Sequence, residues 1–319
     1  MVTPYCSAGM LTAQPAGLSW QVVPTLTAST AEQAAQLSSV CRIATSQVDS
    51  FCRQPLRATV NTETITGPGK GRLTVDPGTG IASLVTRRWP VAEVLAVQTS
   101  PARAFPPSWT PVAANQWLIR YPVLSAPFGA PQSSASGGNV IDLAPGVASW
   151  ADGRGTLRLE HAYLSGWAHA GTTSMALAGA MTMHVDDVTG WAGASGYLYD
   201  GTSTEPVTCT TVAADSALIL PSIVAPVVNP FTDPSGSLTV QAGPGTVTLT
   251  SPLTYGHGAG TVLSALPETV LRAAALFAAV QAIETIDAIA TQSLSGEVGS
   301  TSLLAESAEM ALCEFRRIC

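Results

Sequence analysis

The sequence predicts an α+β chain in which a helix-bearing domain is interrupted by an all-β module. Three observations predict it. Helical periodicity is confined to Ser29–Arg53 and to the chain beyond Pro267. Between them lie short alternating runs rich in β-branched residues and separated by Gly, Pro, Asp and Asn. From Leu159 to Leu271 there is no Lys or Arg, although six acids lie between Asp186 and Asp233. A block so different in charge reads as a module inserted into an older domain. The expected division is therefore 1–170, the first part of the helix-bearing domain; 171–263, the inserted β module, a barrel or a sandwich; and 264–319, helices that complete the first domain.

Each element has a local reason. Ser29 or Thr30 can cap the first helix, with Glu32 and Gln33 in its first turn. Leu37, Cys41, Ala44, Val48 and Phe51 share one face, and Pro55 stops the helix. Strands are expected at Leu56–Thr66, Arg72–Val75, Val91–Thr99, Trp117–Tyr121 and Thr156–Tyr163, with Gly67–Gly71 as a hairpin turn between the first two. Residues 122–150, rich in Pro, Ser and Gly, read as a long loop. Within the module, Met181–Val185, Gly196–Tyr199, Pro206–Val212, Ala217–Leu220, Ser237–Gln241 and Thr246–Thr250 are strand-length runs. Pro267 and Glu268 open a second helix to about Thr291, with Leu276, Val280, Ile283, Ile286 and Ile289 as its apolar stripe. Its length is roughly 36 Å at the usual rise per residue. Leu303–Arg317 reads as a shorter third helix.

Composition narrows the classes. The 319 residues, 46% hydrophobic and only 11% charged, can bury a sizeable core and do not resemble a disordered chain. The longest apolar stretch, Ala273–Val280, is far short of the ~20 residues of a membrane span. The opening MVTPYCSAGM lacks a basic segment followed by an apolar one, so no signal peptide is expected. A net charge of −7 argues against a nucleic-acid binder, which needs a basic stripe to displace counterions. Cys6, Cys41, Cys52, Cys209, Cys313 and Cys319 form no CxxC pair, and free thiols in a reducing compartment are expected.

Tests for chemistry are mostly negative. Gly67–Gly71 lacks the spacing of a phosphate-cradling loop, since Lys70 precedes Gly71 and no helix follows. Asp186 and Asp187, near His184, would point to opposite faces of a strand. His161, His169 and His257 match no zinc spacing, and surface or turn roles are expected for all four histidines. No Gly-x-Ser-x-Gly elbow is present. No catalytic residue, cofactor site or metal site is therefore assigned, and the chain is not expected to be an enzyme.

The order of several short motifs carries a resemblance. The first helix ends in Val48-Asp-Ser-Phe-Cys-Arg-Gln-Pro-Leu56, strands follow, and Arg88-Trp-Pro-Val-Ala-Glu-Val94 comes next. A strand runs into a Gly-rich bend at Leu157–Trp167, Leu266-Pro-Glu-Thr-Val-Leu271 opens a long Ala-rich helix, and the tail closes on Phe315-Arg-Arg317. This resembles the head–tail connector (adaptor, head-completion) proteins of long-tailed bacteriophages, over about 29–120, 155–170 and 266–319. The chain departs from that family in its length and in the inserted module.

The resemblance implies a small helical connector domain with a long C-terminal helix and a β-hairpin. It also implies a structural virion protein at the neck, made in the host cytoplasm. Such a subunit forms a ring, expected to be dodecameric, between the portal protein and a stopper or tail-side protein. DNA passes through that ring without specific binding, and no membrane is involved. An acidic lumen would repel phosphates and let DNA slide. The tail is expected to dock on portal through Leu304, Ala308, Leu312, Phe315, Arg316 and Arg317, released by a hinge at Gly296 and Gly299, so that removing 301–319 spares the fold. Two alternatives stay open: another tail or baseplate ring component, and a β-rich carbohydrate-binding protein using Trp150, Trp167, Trp191 and Tyr255 as stacking platforms.

Overall fold

The computed structural model describes residues 3–13, 30–67, 72–101, 107–120, 140–145, 147, 157–201, 203–224, 237–290 and 298–315. In chain order these hold α1 (Ala8–Ala13), α2 (Thr30–Cys52), β1 (Thr59–Gly67), β2 (Leu73–Val75), β3 (Ala82–Val85), β4 (Val91–Pro101), β5 (Thr110–Pro111) and β6 (Trp117–Arg120). Next come β7 (Val140–Leu143), β8 (Leu157–Ser165), β9 (His169–Gly171), β10 (Thr182–Val185), β11 (Ser195–Asp200), β12 (Ser203–Ala214) and β13 (Leu218–Val224). The chain ends with β14 (Ser237–Val240), β15 (Gly245–Leu249), β16 (Val262–Ser264), α3 (Glu268–Ala290) and α4 (Val298–Leu312).

Among the described residues the protein is mostly β, with sixteen strands against four α-helices. This overturns the expected α+β class built on a small helical connector domain with a long C-terminal helix and a hairpin. The strands of the first half do not decorate a helical domain; they form two sheets around a core of their own. One of them, β7, lies inside the stretch 122–150 that reads as a loop. The hairpin expected around Gly67–Gly71 is also corrected. β1 pairs with β8 and β2 with β3, so this connection joins two sheets, and residues 68–71 lie outside the described ones. The hairpin here is β2–β3, whose turn is set by Asp76. Its carboxylate accepts the Gly78 N–H at 2.8 Å and the Thr79 hydroxyl at 2.8 Å.

The chain divides into two compact units: unit 1 is 1–57, 168–215 and 243–319, and unit 2 is 58–167 and 216–242. The expected boundaries at 170 and 263 do not coincide with these. Most of the β module belongs with the four described α-helices, while the β13–β14 hairpin belongs with unit 2.

Unit 2 stacks the sheet β1-β8-β4-β5 against the sheet β2-β3-β7-β6. Alternate residues of a strand face one side, so Leu157 and Leu159 of β8 enter the core with Ile65, Leu84, Val97 and Ile141. The same alternation brings in His161 and Tyr163. Tyr163 and Arg72 both donate to the Glu63 carboxylate, which also accepts the Arg87 N–H at 2.9 Å. Burial alone would raise Glu63, but these donors outweigh it and hold the carboxyl below its ordinary range. The His161 ring stacks on Tyr163 with centroids 5.3 Å apart, and its two nitrogens have no hydrogen-bond partner among the described residues. On the opposite face, Leu220, Leu238 and Val240 of the β13–β14 hairpin pack on Ala96 and Ala162.

In unit 1 the sheet β10-β15-β12-β11-β16-β9 curls into an incomplete barrel, with Thr172, just past β9, bridging back to Val185 of β10. Met183, Trp191, Leu198, Val207, Val247 and Leu263 fill it. Cys41, Ala44, Val48 and Cys52 of α2 are buried, as their spacing requires, and α2 packs against α3. Segment 3–6 joins helices to barrel. The Tyr5 hydroxyl donates to Asp49 at 2.6 Å and accepts the N–H groups of Leu56 at 3.0 Å and Arg57 at 3.1 Å. Its ring meets His169 edge-on at 5.2 Å. The His169 ring nitrogens lie 3.0 Å from the Pro4 carbonyl and 3.0 Å from the Ser264 hydroxyl. A neutral imidazole satisfies both, donating to Pro4 and accepting from Ser264.

Burial pushes His161 and His169 down from the ordinary 6.5 to about 4. Below pH 6.5 the unfolded chain takes up protons at these positions while the native chain does not, so native stability falls across that window. Calorimetry at a series of pH values should show Tm declining as pH is lowered from about 6.5 towards 4, in both units; a Tm flat over that range would contradict the two buried neutral imidazoles.

Candidate functional site

The C-terminal helix holds the residues expected to bind a partner. α4 packs against α3 and α2 of its own unit. Ala308 and Leu312 are fully buried, Phe315 nearly so, and Leu304 half-buried. The apolar stripe is spent within the subunit. Gly299 is the second residue of α4, inside the helix rather than in a free hinge, while Gly296, Arg316 and Arg317 lie outside the described residues.

The histidines and tryptophans expected at surfaces are mostly interior. His161, His169 and His257 are buried, leaving only His184 on an exposed edge. Trp167 and Trp191 are buried as well, so they cannot serve as sugar-stacking platforms; Trp150 lies outside the described residues, and Tyr255 is exposed. Asp186 and Asp187 do diverge. Asp186 accepts from the Thr3 hydroxyl at 2.6 Å and the Gly171 N–H at 2.7 Å, whereas Asp187 accepts from the Thr189 N–H at 2.9 Å and the Gly243 N–H at 3.2 Å. Among the described residues no three His, Cys, Asp or Glu side chains converge as a metal site would require. The five described cysteines form no disulfide among the described residues, and four of them are buried. Among the described residues no helix is long and apolar enough to cross a membrane.

A cavity of about 190 Å³ lies between α1, the β11–β12 turn and the start of α3. Tyr199, Ser203, Thr204, Glu268 and Arg272 supply its polar groups. It is smaller than the ~300 Å³ at which small-molecule pockets begin.

A built surface stands at the tip of the barrel. The loop 173–181 and the loop 250–260 run side by side: Ala176 bridges His257, the Gly179 N–H donates to the Leu253 carbonyl at 2.7 Å, and the Leu253 N–H donates back to Ala180 at 3.0 Å. Glu205 of β12 pins the second loop. Its buried carboxylate accepts the N–H groups of Thr254 at 2.5 Å and Tyr255 at 3.2 Å and lies 2.9 Å from His257 Nε2. Burial pushes Glu205 up, but those backbone donors and His257 outweigh it, so it stays ionised at neutral pH. The other ring nitrogen of His257 faces Asp200 at 3.4 Å. With the backbone locked this way, Met175, Leu177, Met181 and Tyr255 project outward, 67%, 63%, 43% and 57% exposed.

Sequence reasoning missed Glu205 and, apart from Tyr255, this surface. An isolated glutamate in a strand carries no periodic signal, and large apolar residues spaced by Ala and Gly read as loop. No protein-family model, curated protein or solved structure matches this chain.

Two substitutions separate these assignments. Leu312→Ala empties a fully buried position and should cost about 2–5 kcal/mol of stability in chemical denaturation; a cost below ~0.5 kcal/mol would mean that α4 is not docked on its own unit. Glu205→Gln keeps the volume but turns an amide towards the Thr254 and Tyr255 N–H groups, costing about 1–3 kcal/mol. Amide exchange in loop 250–260 should accelerate in that variant, and unchanged exchange there would exclude the pinning role.

Proposed function

We propose that this chain is a structural, non-catalytic subunit of the head–tail junction of a long-tailed bacteriophage, forming a ring beneath the portal through which DNA passes. The observation that carries the reading is where the motif residues lie: they form joints of the fold. Asp49 and Leu56 meet at Tyr5, and the Arg88 N–H donates to the Tyr163 hydroxyl. The Leu266 N–H donates to Ser264 and the Val270 N–H to Pro267 at the start of α3. These segments build a scaffold, which favours assembly over turnover.

Electrostatics support the same reading. A subunit of net charge −7 repels phosphates, so a ring of copies would let DNA slide without sticking. The reading does not use the helical connector architecture, and it does not use α4 as a free portal-binding tail. Any portal contact therefore falls to surfaces other than the buried stripe of α4.

Negative-stain electron microscopy of the purified protein, alone and mixed with the portal protein of the same phage, tests the proposal. Rings that stack coaxially on portal are the expected result. A protein that neither forms rings nor binds portal is not a connector.

A further inference from the structure

We propose that His257 carries a proton on both ring nitrogens and acts as a pH-sensitive latch for loops 173–181 and 250–260. Charged, the ring bridges Asp200 and Glu205; neutral, it holds only one of them. The inference stands apart from the ring reading above and does not depend on it.

The geometry around the ring leads to it. His257 is buried, with Nε2 2.9 Å from Glu205 Oε2 and Nδ1 3.4 Å from Asp200 Oδ2. Nδ1 is closed off from water and has no hydrogen-bond partner among the described residues. A neutral imidazole has a single N–H, so in either tautomer one buried lone pair points at a carboxylate oxygen. Glu205 does not supply the missing hydrogen. Burial pushes it up, but the Thr254 and Tyr255 N–H groups and His257 outweigh burial and keep it ionised. Asp200 is 44% exposed, and water solvates its charge. A second proton on the ring turns both contacts into charge-assisted hydrogen bonds.

The surroundings favour the same state. β11 contributes Asp200 and β12 contributes Glu205, and these are the two carboxylates within 4 Å of the ring among the described residues. Loop 173–181 carries no titratable side chain, and Tyr255 on the ring's own loop is exposed. No Lys or Arg occurs between Leu159 and Leu271, so within this stretch of chain no fixed cation competes for the two acids.

The charge on the ring reaches both loops. The His257 N–H donates to the Ala176 carbonyl at 2.8 Å, and the Ala176 N–H donates back at 2.9 Å. Glu205, on the far side of the ring, holds the N–H groups of residues 254 and 255. When the loops open, the ring meets water and gives up its second proton above about pH 6.5, the ordinary imidazole value. The closed state then binds one proton more than the open one. Opening therefore becomes easier as pH rises, by at most about tenfold per pH unit. His161 and His169 act below pH 6.5, so their effect on stability is separate on the pH axis.

Amide hydrogen exchange of the full chain, corrected for intrinsic rates and followed from pH 6 to 8.5, tests the latch in wild type and in Asp200→Asn. Asp200 is half-exposed, and circular dichroism verifies that the variant is folded. In the wild type, protection of residues 254–258 and of Ala176 should fall about tenfold or more between pH 6.5 and 8.5, while α3 stays protected. In Asp200→Asn the side-chain amide satisfies a neutral ring, so protection should fall less than about threefold over the same range. Nitrogen-15 shifts of the His257 ring give a second readout, and at pH 7 both nitrogens should be protonated. A ring with one bare nitrogen at pH 7 would overturn the inference. So would loop protection that does not change with pH, or a fall shared by α3, which is global unfolding. An equal fall in Asp200→Asn would remove Asp200 from the latch and overturn the two-carboxylate arrangement.

Discussion

The contact between Tyr5 and His169 is the joint on which unit 1 depends. Unit 1 is assembled from three stretches of chain far apart in sequence, and all three meet there. The phenol ties segment 3–6 to the end of α2, and the imidazole ties it to β9 and to Ser264 at the end of β16. Burial, reinforced by Asp49, raises Tyr5 well above its ordinary value, and burial lowers His169, so both rings are neutral near pH 7. A neutral pair suits this place, because burial penalises the charged form of each ring. Gly171 follows from the same constraint, since a Cβ at that position would collide with the Thr3 side chain.

Elsewhere the buried charges follow one rule. Glu63 in unit 2 and Glu205 in unit 1 are interior carboxylates, and each collects three or more donors from segments distant in sequence. A buried carboxylate with one donor removed costs several kcal/mol, so these groups fix loops as firmly as packing does. At the tip of the barrel this leaves Met175, Leu177 and Tyr255 projecting from a backbone that Glu205 holds in place. The thiols of the interior are committed to packing, with burial raising Cys209 to about 11.

Much of the local structure was legible in the chain. The helix over 29–53 became α2 because Cys41, Ala44 and Val48 repeat at helical spacing, and Pro267 with Glu268 marked the start of α3. The runs at 181–185, 196–199, 206–212 and 246–250 became β10, β11, β12 and β15 because alternation and turn residues are local signals. The fold class was not legible in the same way. Gly67–Gly71 has the composition of a hairpin turn, yet its flanking strands join different partners, β8 and β3. Pairing across some hundred residues, as between Thr59 and Ser165, leaves no mark on either segment alone. Nor did the exposed tip announce itself, because exposure depends on what covers a residue and not on its type.

The sequence by itself determined which stretches are helix or strand, and where charge is absent. Those properties arise from side-chain periodicity, from the fixed φ of proline and from residue count, all within a few positions of one another. Only the tertiary structure decided that the β module shares a unit with the helices, that three of the four histidines are interior, and that the stripe of α4 is closed against α3. Each of these is a question of which surface meets which. An apolar helix face is equally stable against its own domain or a partner, and the free energy that chooses between them comes from the area that the rest of the chain brings to it.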